Sequence, residues 1–182
     1  MRLFVGIALD ERTTRALEQV RERLVAPGLR WIRPEDRHLT LLFLGKADEG
    51  QVTCLAARLA EVQSQPCPIR IAGLGFFART GVFWAGVQVT PELLALQQRV
   101  ITATRGCGFV PEDRAYHPHI TLVRQPGRGG AGLLRKLEKT VERGRFHLEE
   151  EFMAEEFLLY ESFPGSGGSH YEVRMSFALR NI

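Results

Sequence analysis

Two short segments of the chain each carry a histidine and a threonine separated by one apolar residue. They are His38-Leu39-Thr40-Leu41 and His119-Ile120-Thr121-Leu122. Alternate side chains of a β-strand point to the same face, so each segment would present an imidazole and a hydroxyl on one side and two aliphatic side chains on the other. Two such strands side by side would form a cleft with two imidazoles and two hydroxyls.

This set of groups suits the hydrolysis of a phosphodiester. A neutral histidine accepts a proton from water, and a protonated histidine donates one to the leaving oxygen. In-line displacement at phosphorus places nucleophile and leaving group on opposite sides, so we expect one histidine from each segment. The hydroxyls of Thr40 and Thr121 would hydrogen-bond the non-bridging oxygens. We therefore predict His38 and His119 as an acid–base pair, in an order that these residues leave open, with no metal or cofactor.

A second likeness supports the pairing of the two segments. Pro34-Glu35-Asp36-Arg37 precedes the first histidine directly, and Pro111-Glu112-Asp113-Arg114 precedes the second at a distance of four residues. An aromatic residue lies upstream of each copy, Trp31 and Phe109. A single His-x-Thr strand is more often structural than functional, so the duplication carries the prediction. The sequence indicates two halves built to one plan.

Arg124, which follows the second segment, is a further candidate for binding phosphate. In a regular strand its side chain would point away from His119, so it reaches the cleft only at a strand end or a bulge. The alternative is a surface role. His117 lies two residues before His119, so on a strand both side chains would point to the same face and could bind one metal. However, Pro118 interrupts the strand, and no carboxylate or cysteine cluster completes a site. No metal site is predicted.

The remaining histidines and most aromatic residues have less specific interpretations. His147 and His170 lie in polar segments and are expected to be solvated. Four aromatic residues are expected to belong to the core rather than to a surface that stacks a nucleobase: Phe43, Phe76, Phe77 and Trp84.

The composition is that of an ordinary globular protein, at 45% hydrophobic and 25% charged residues. The net charge of +3 permits an anionic ligand of the size of a phosphate but is too small for a surface that binds nucleic acid in general.

The chain has three cysteines, Cys54, Cys67 and Cys107, and they form no Cys-x-x-Cys pair. This odd number predicts buried free thiols in a cytoplasmic protein. No apolar run approaches the length of a membrane span or a signal sequence.

Hydrophobic periodicity predicts alternating helices and strands within a single domain, residues 1–182. The predicted helices are Glu11–Leu24 with Asp10 as its N-cap, Glu49–Gln63, Glu92–Arg105 and Ala131–Arg143. The predicted strands are Arg2–Ala8, Leu39–Leu44, Ile69–Ala72, Val82–Val89, His119–Val123, Phe152–Tyr160 and Tyr171–Leu179. Paired strands with interspersed helices indicate an α+β fold with largely antiparallel sheets, and no glycine-rich phosphate loop follows a strand.

The two histidine segments resemble the paired HxTx motifs of the 2H phosphoesterase superfamily. The resemblance covers nearly the whole chain and points to the RNA 2',3'-cyclic phosphodiesterase branch, also called 2'-5' RNA ligases. The other segments that carry it are Arg2–Val5, Ile7–Leu9, Phe43–Gly45, Pro118, Arg124, Leu159–Ser162 and Gly168–Val173.

The resemblance implies a bilobal, pseudo-two-fold α+β fold with two largely antiparallel sheets, flanked by helices around a central cleft. It implies hydrolysis of RNA 2',3'-cyclic phosphate ends to 2'-phosphate ends. His38 would be the proton donor to the leaving 3'-oxygen and His119 the proton acceptor that activates water. Arg124 would correspond to the family's phosphate-binding arginine.

Other functions of the same site stay open at this point. The expected partner is RNA with 2',3'-cyclic phosphate ends or a cyclic nucleotide, and we expect a monomer. Ligation of 2'-5' RNA is the reverse step through the same acid–base pair, so the motifs do not exclude it. A phosphodiesterase for small cyclic nucleotides and a non-catalytic module that binds RNA ends are the remaining alternatives, although intact histidines and threonines in both segments argue against a degenerate site.

Overall fold

The computed structural model describes residues 1–24, 27–111, 115–125, 131–144, 146–165 and 168–180. Within them, the chain forms eight strands and four α-helices. In chain order the elements are β1 (Arg2–Ala8), α1 (Glu11–Arg23), β2 (His38–Lys46), α2 (Glu49–Ala60), β3 (Cys67–Phe77), β4 (Val82–Val87), α3 (Pro91–Arg105), β5 (His119–Arg124), α4 (Ala131–Gly144), β6 (Glu149–Ala154), β7 (Glu156–Phe163) and β8 (His170–Ala178). A short 3₁₀ turn, Pro34–Asp36, precedes β2.

The strands form one antiparallel sheet in the order β6-β3-β4-β5-β2-β1-β7-β8. β2 and β5, the strands that begin with the two histidines, lie at its centre and join at the register pair Leu39–Ile120. Four strands on one side of this junction mirror four on the other. The predicted α+β fold is confirmed, but the prediction of two sheets is wrong, because the hydrogen bonds between β2 and β5 make the sheet continuous.

The chain upstream of β2 explains why β2 and β5 pair over so few residues. The amide of Ile32 donates to the carbonyl of Leu122 at 2.8 Å, and the amide of Arg124 donates to the carbonyl of Arg30 at 3.1 Å. The segment 30–32 thus occupies the edge of β5 beyond Ile120. The two central strands therefore separate directly beside their histidines.

The predicted strand Phe152–Tyr160 is wrong, because it spans two strands. β6 pairs with β3 at one edge of the sheet, whereas β7 pairs with β1 in the other half. Only Glu155 separates them. Since consecutive residues lie 3.8 Å apart, the sheet must curl until its two halves meet at this end. Glu155 and Glu156 interrupt the apolar residues at the break, but they do not show that the next strand joins the other half of the sheet.

The helices cover the face of the sheet opposite the histidines. Leu39, Leu41, Ile120 and Leu122 are each at most 2% exposed. They belong to one apolar cluster with helix residues that include Leu17, Leu55, Leu93, Leu96 and Val100. The predicted alternation along β2 and β5 is confirmed, because the aliphatic side chains of both segments are buried against this layer.

Side-chain caps fix where the first three helices begin. The carboxylate of Asp10 accepts from the amide of Thr13 at 2.9 Å, so the predicted N-cap of α1 is confirmed. Asp48 and Gln51 form a capping box at α2, and Thr90 caps α3 with Pro91 in its first turn.

None of the helices in the described residues is long and apolar enough to cross a membrane.

The prediction of three free thiols is wrong for two of them. Cys54 on α2 and Cys107 after α3 form a disulfide, with their Cα atoms 5.7 Å apart. Cys67 is a buried free thiol, as predicted. The two bridged cysteines are 53 residues apart in sequence and meet because α2 packs on α3. Spacing along the chain carries no information about that packing.

We expect this disulfide to stabilise the protein. Closing a loop of this length stabilises a fold by about 2–4 kcal/mol, chiefly by restricting the unfolded chain. Reduction with dithiothreitol should therefore lower the free energy of unfolding of the wild type by that amount, measured by urea denaturation. The double variant Cys54→Ser/Cys107→Ser is the control and should not respond to the reductant. An unchanged wild-type transition would contradict the assignment.

Candidate active site

The junction of β2 and β5 brings the four predicted histidine and threonine residues together. Because Leu39 pairs with Ile120 in antiparallel register, His38 lies across from Thr121 and Thr40 across from His119. The two histidines are diagonal neighbours on one face of the junction, where the strands begin to separate. A phosphate group at this point would lie between two imidazoles and two hydroxyls.

Both imidazoles are held by the same type of local hydrogen bond. The Nδ1 atom of His38 lies 2.8 Å from the carbonyl oxygen of Asp36, and Nδ1 of His119 lies 2.7 Å from that of His117. A carbonyl only accepts hydrogen bonds, so each Nδ1 carries a proton and donates it. In the neutral form of either ring, Nε2 is then the atom that takes up a proton.

Aromatic rings surround His38. The ring centroids of Phe4, Tyr171 and Tyr160 lie 4.5, 4.9 and 5.6 Å from its own. This burial lowers the pKa of His38 to about 4; the hydrogen bond to Asp36 and the charge of that residue oppose the shift, while the nearby charges of His119 and Arg124 add to it. His38 is therefore neutral at pH 7 when no ligand is bound.

A glycine allows this close packing around His38. Gly6 on β1 pairs with Thr40. A Cβ atom at Gly6 would lie 2.8 Å from the carbonyl oxygen of Leu39 and 3.6 Å from Cδ2 of His38. The backbone could not accommodate that contact without shifting, so a side chain at this position would displace the first histidine segment.

His119 has a different aromatic environment, formed by the other half of the sheet. Phe77 on β3 meets it edge-on at 5.0 Å, and Trp84 on β4 lies 6.3 Å away. The prediction that Phe77 and Trp84 are core residues is therefore incomplete, because both half-buried rings line the site. Phe76 stacks on the buried Phe83 at 4.8 Å and belongs to the core, as predicted.

A β-bulge in β5 places Arg124 on the same face as His119. The register between β4 and β5 shifts by one residue, with Phe83 paired to Val123 and Trp84 to Thr121. Leu122 is the extra residue, so Leu122 and Val123 are both buried and the alternation resumes with Arg124 exposed. The bulge that the sequence required for Arg124 to reach the cleft is present.

The charge of Arg124 acts on the side of the cleft that carries His38. It contributes to the low pKa of His38. Burial raises the pKa of Tyr171, and Arg124 opposes that shift. Within the described part of the chain, Arg124 forms no salt bridge. The guanidinium is thus placed to meet an anion beside His38.

β2 contains the equivalent bulge, and there the corresponding residue is Phe43. Val5 pairs with Leu42 and Gly6 with Thr40, so Leu41 is the extra residue. Leu41 and Leu42 are both buried, whereas Phe43 is 53% exposed. The prediction that Phe43 lies in the core is wrong, because the bulge turns its side chain to the opposite face.

Asp36 is a residue of the site that the sequence argument did not single out. Its buried carboxylate accepts from the amide of Tyr171 at 3.0 Å and from Nε of Arg33 at 2.7 Å. These bonds tie the turn before β2 to the start of β8, and they fix the carbonyl that orients His38. The repeated Pro-Glu-Asp-Arg segment was the available signal; in its second copy, residues 112–114 lie outside the described residues.

The structure also describes the surroundings of the other three histidines. His117 is exposed and contributes its carbonyl to His119. The side chain of His147 is 82% exposed, but that of His170 is only 45% exposed, because Phe163 stacks on it at 5.0 Å. Among the residues described, no group of three or more histidine, cysteine, aspartate or glutamate side chains could hold a metal ion.

Known proteins are similar to this chain in sequence and in fold. A model of the 2'-5' RNA ligase superfamily matches residues 7–162. The protein named RNA 2',3'-cyclic phosphodiesterase in Archaeoglobus fulgidus is 34% identical over 128 residues, covering 68% of this chain and 72% of the relative. The protein of the same name in Thermotoga maritima is 33% identical over 131 residues, covering 68% and 70%. The crystal structure of E. coli LigT complexed with 3'-AMP superposes with a TM-score of 0.80 at 22% identity, covering 99% of this chain and 98% of LigT.

The fold and the paired histidine strands are those of a 2H phosphoesterase. The chain belongs to the 2'-5' RNA ligase superfamily, since that family's model matches most of its length. This confirms the family predicted from the two HxTx motifs.

The titration of His38 tests the geometry of the site. In the ligand-free protein we expect its imidazole to titrate with a pKa of about 4, followed by NMR. In Tyr171→Ala, water reaches one side of the ring, so the pKa of His38 should rise toward 6.5, the value of an unperturbed histidine. Since the folded pKa lies below the unfolded one, stability conferred through His38 is present above pH 6.5 and is lost as the pH falls toward 4. A wild-type pKa near 6.5 would contradict this environment.

Proposed function

We propose that the protein is an RNA 2',3'-cyclic phosphodiesterase that converts 2',3'-cyclic phosphate ends to 2'-phosphate ends. The observation that carries the proposal is the pair of imidazoles on adjacent antiparallel strands, each with Nδ1 donating to a carbonyl, so that Nε2 is the basic nitrogen of the neutral ring. The names of the relatives support the choice of substrate.

The reaction needs one proton acceptor and one proton donor. Nε2 of His119 takes a proton from water as the water oxygen attacks phosphorus. The bond from phosphorus to the 3'-oxygen breaks, and Nε2 of His38 gives that oxygen a proton. The product is a 2'-phosphate monoester with a free 3'-hydroxyl. Proton exchange with solvent then returns both histidines to their starting states.

The remaining site residues act on the phosphate itself. The hydroxyls of Thr40 and Thr121 donate hydrogen bonds to the non-bridging oxygens and hold phosphorus between the histidines. Arg124 lies on the His38 side and attracts the anion. That negative charge favours the protonated form of His38, which burial disfavours in the empty site. Binding of the substrate therefore helps to load the proton donor.

The proposed function has consequences for the assembly and the location of the protein. Both halves of the site come from one chain, so the protein can act as a monomer in a single domain. Because its proposed substrate is RNA, we propose that the protein works in the cytoplasm. Disulfides are rare in that compartment, so the Cys54–Cys107 bridge would depend there on the redox state.

Substitution of the four central residues tests the proposal with RNA that ends in a 2',3'-cyclic phosphate, assayed in EDTA. His38→Ala and His119→Ala should each lower kcat by about 10²–10⁴-fold, as expected for loss of a general acid or base. Thr40→Ala and Thr121→Ala should have smaller effects, since each removes one hydrogen bond worth about 1.5–3 kcal/mol. The exposed His147→Ala is the matched control and should retain full activity.

Three outcomes of this assay would overturn parts of the proposal. Activity that EDTA abolishes and a divalent metal restores would exclude acid–base catalysis by the two histidines alone. A threonine variant slower than both histidine variants would exclude the assigned roles. Hydrolysis of cyclic mononucleotides but not of RNA ends, or joining of 2'-5' ends in preference to hydrolysis, would identify the substrate or the favoured direction as one of the alternatives.

The pH dependence tests which histidine is the acid. The base must be neutral and the acid protonated, so the wild-type profile should be bell-shaped, with limbs that belong to the coupled pair. With His38 as the donor, His38→Ala should lose the alkaline limb and His119→Ala the acidic limb. Because kcat/KM reports the free protein, in which the pKa of His38 is about 4, its alkaline limb should lie at lower pH than that of kcat. The opposite loss of limbs would reverse the two roles.

A further inference from the structure

We propose that Arg2 and Lys46 form a second anion site, which binds an internucleotide phosphate of the RNA upstream of its cyclic phosphate end. This role rests on the proposed function and extends the recognised substrate from one nucleotide to an oligonucleotide. Both side chains are exposed, and both lie in the half of the sheet that carries His38.

The strand register places both cations on the face of the two histidines. At both register shifts between β1 and β2 the extra residue lies in β2, so the side chains of β1 alternate regularly. Arg2 therefore points to the same face as Phe4, whose ring lies 4.5 Å from that of His38. Lys46 pairs with Arg2 directly across the ladder and shares its face.

The two cations lie at one end of the cleft, away from its centre. Along β1, Arg2 is four residues from Gly6, the residue that pairs with Thr40. At the rise of a β-strand this separation is about 13 Å. A nucleoside cyclic phosphate has a single phosphate, which the histidines and threonines hold. A second negative charge at this end must therefore come from the phosphates that precede the terminal nucleoside in an RNA chain.

The pairing of Arg2 with Lys46 is unfavourable unless an anion is bound. Like charges directly opposite in an antiparallel pair destabilise it. Within the described part of the chain, neither side chain forms a salt bridge that would offset the repulsion. A phosphate between the two cations would replace the repulsion with two attractive contacts.

Two acidic residues on the neighbouring segments are already engaged elsewhere. Glu161 on β7 pairs with Leu3, so it lies on the opposite face of the sheet, and its carboxylate is 3.5 Å from the guanidinium of Arg174. Asp48 caps α2, and its carboxylate accepts from the amide of Gln51 at 2.8 Å. Neither carboxylate neutralises the pair of cations.

The position of Arg124 gives the RNA chain a direction. Arg124 ends β5 and Lys46 ends β2, and these two strands run in opposite directions. The cleft thus has a cation at each end, with His38 and His119 between them. The cyclic phosphate would occupy the centre, and the upstream chain would leave past Arg2 and Lys46.

Two substrates with the same reacting end test this site: adenosine 2',3'-cyclic phosphate and the adenosine trinucleotide that ends in the same cyclic phosphate. Each cation that contacts a phosphate of a single strand adds about 0.7 to the slope of log kcat/KM against log salt concentration. For the trinucleotide, Arg2→Gln and Lys46→Gln should each reduce that slope by about 0.7. Each should also lower kcat/KM at low salt by about fivefold, the upper range for an exposed ion pair. The mononucleotide should stay within about twofold of wild type.

Two further variants are the controls. Arg2→Lys keeps the charge and should keep the salt slope for the trinucleotide. Arg105→Gln removes an exposed cation at the end of α3, in the helix layer on the other side of the sheet, and should change neither substrate. An equal loss for both substrates in Arg2→Gln and Lys46→Gln, or an unchanged salt slope for the trinucleotide, would overturn the proposed site.

The stability of the variants separates binding from a structural role. Because the two cations repel each other across the strands, Arg2→Gln and Lys46→Gln should leave the midpoint of urea denaturation unchanged or raise it. A lower midpoint together with an equal loss for both substrates would show that these residues support the fold rather than the RNA.

Failure of the proposed function would be recognised separately. If the wild type hydrolyses neither substrate, the phosphodiesterase assignment fails. The site is then judged by calorimetric binding of adenosine 2'-phosphate and of the adenosine trinucleotide that ends in a 2'-phosphate. Tighter binding of the trinucleotide that is lost in Arg2→Gln/Lys46→Gln and kept in Arg105→Gln supports the site, and equal binding of the two ligands overturns it.

Discussion

The pairing of Leu39 with Ile120 is the constraint on which the site depends. This antiparallel contact joins the two halves of the sheet and sets His38 against Thr121 and His119 against Thr40. A shift of one residue in register would turn every side chain of one strand to the opposite face. Both aliphatic residues are fully buried, so the helix layer beneath them holds the register. The apolar core thereby fixes the spacing of the polar groups above it.

The two histidines make the same backbone hydrogen bond but have different surroundings. Each imidazole donates Nδ1–H to the carbonyl two residues earlier, so the same local geometry leaves Nε2 to act in both. The aromatic rings packed around His38 remove it from water and lower its pKa to about 4. A pseudo-symmetric backbone thus carries two imidazoles in different surroundings. In the empty site His38 is neutral, and the negative charge of a bound phosphate would favour its protonated form.

The paired β-bulges show how two similar halves present different side chains to the cleft. In each central strand, one extra residue makes two consecutive side chains buried. The side chain that follows these two points toward the cleft. In one half that side chain is Phe43 and in the other it is Arg124. Identical backbone irregularities therefore present an apolar ring and a cation at the two ends of one cleft.

Local patterns in the sequence were sufficient to predict the histidine strands, the four helices and the cap at Asp10. These features depend on neighbours within a few residues, since side-chain alternation and helix capping are properties of the chain itself. The residues predicted for the site, His38, Thr40, His119 and Thr121, lie together because two such strands pair. Only the tertiary structure decided the disulfide between Cys54 and Cys107, the division of Phe152–Tyr160 between two strands, and the single continuous sheet. It also decided the faces of Phe43 and Arg124 and the low pKa of His38. Each of these depends on contacts between segments far apart in sequence, where packing and strand register, rather than periodicity, determine the outcome.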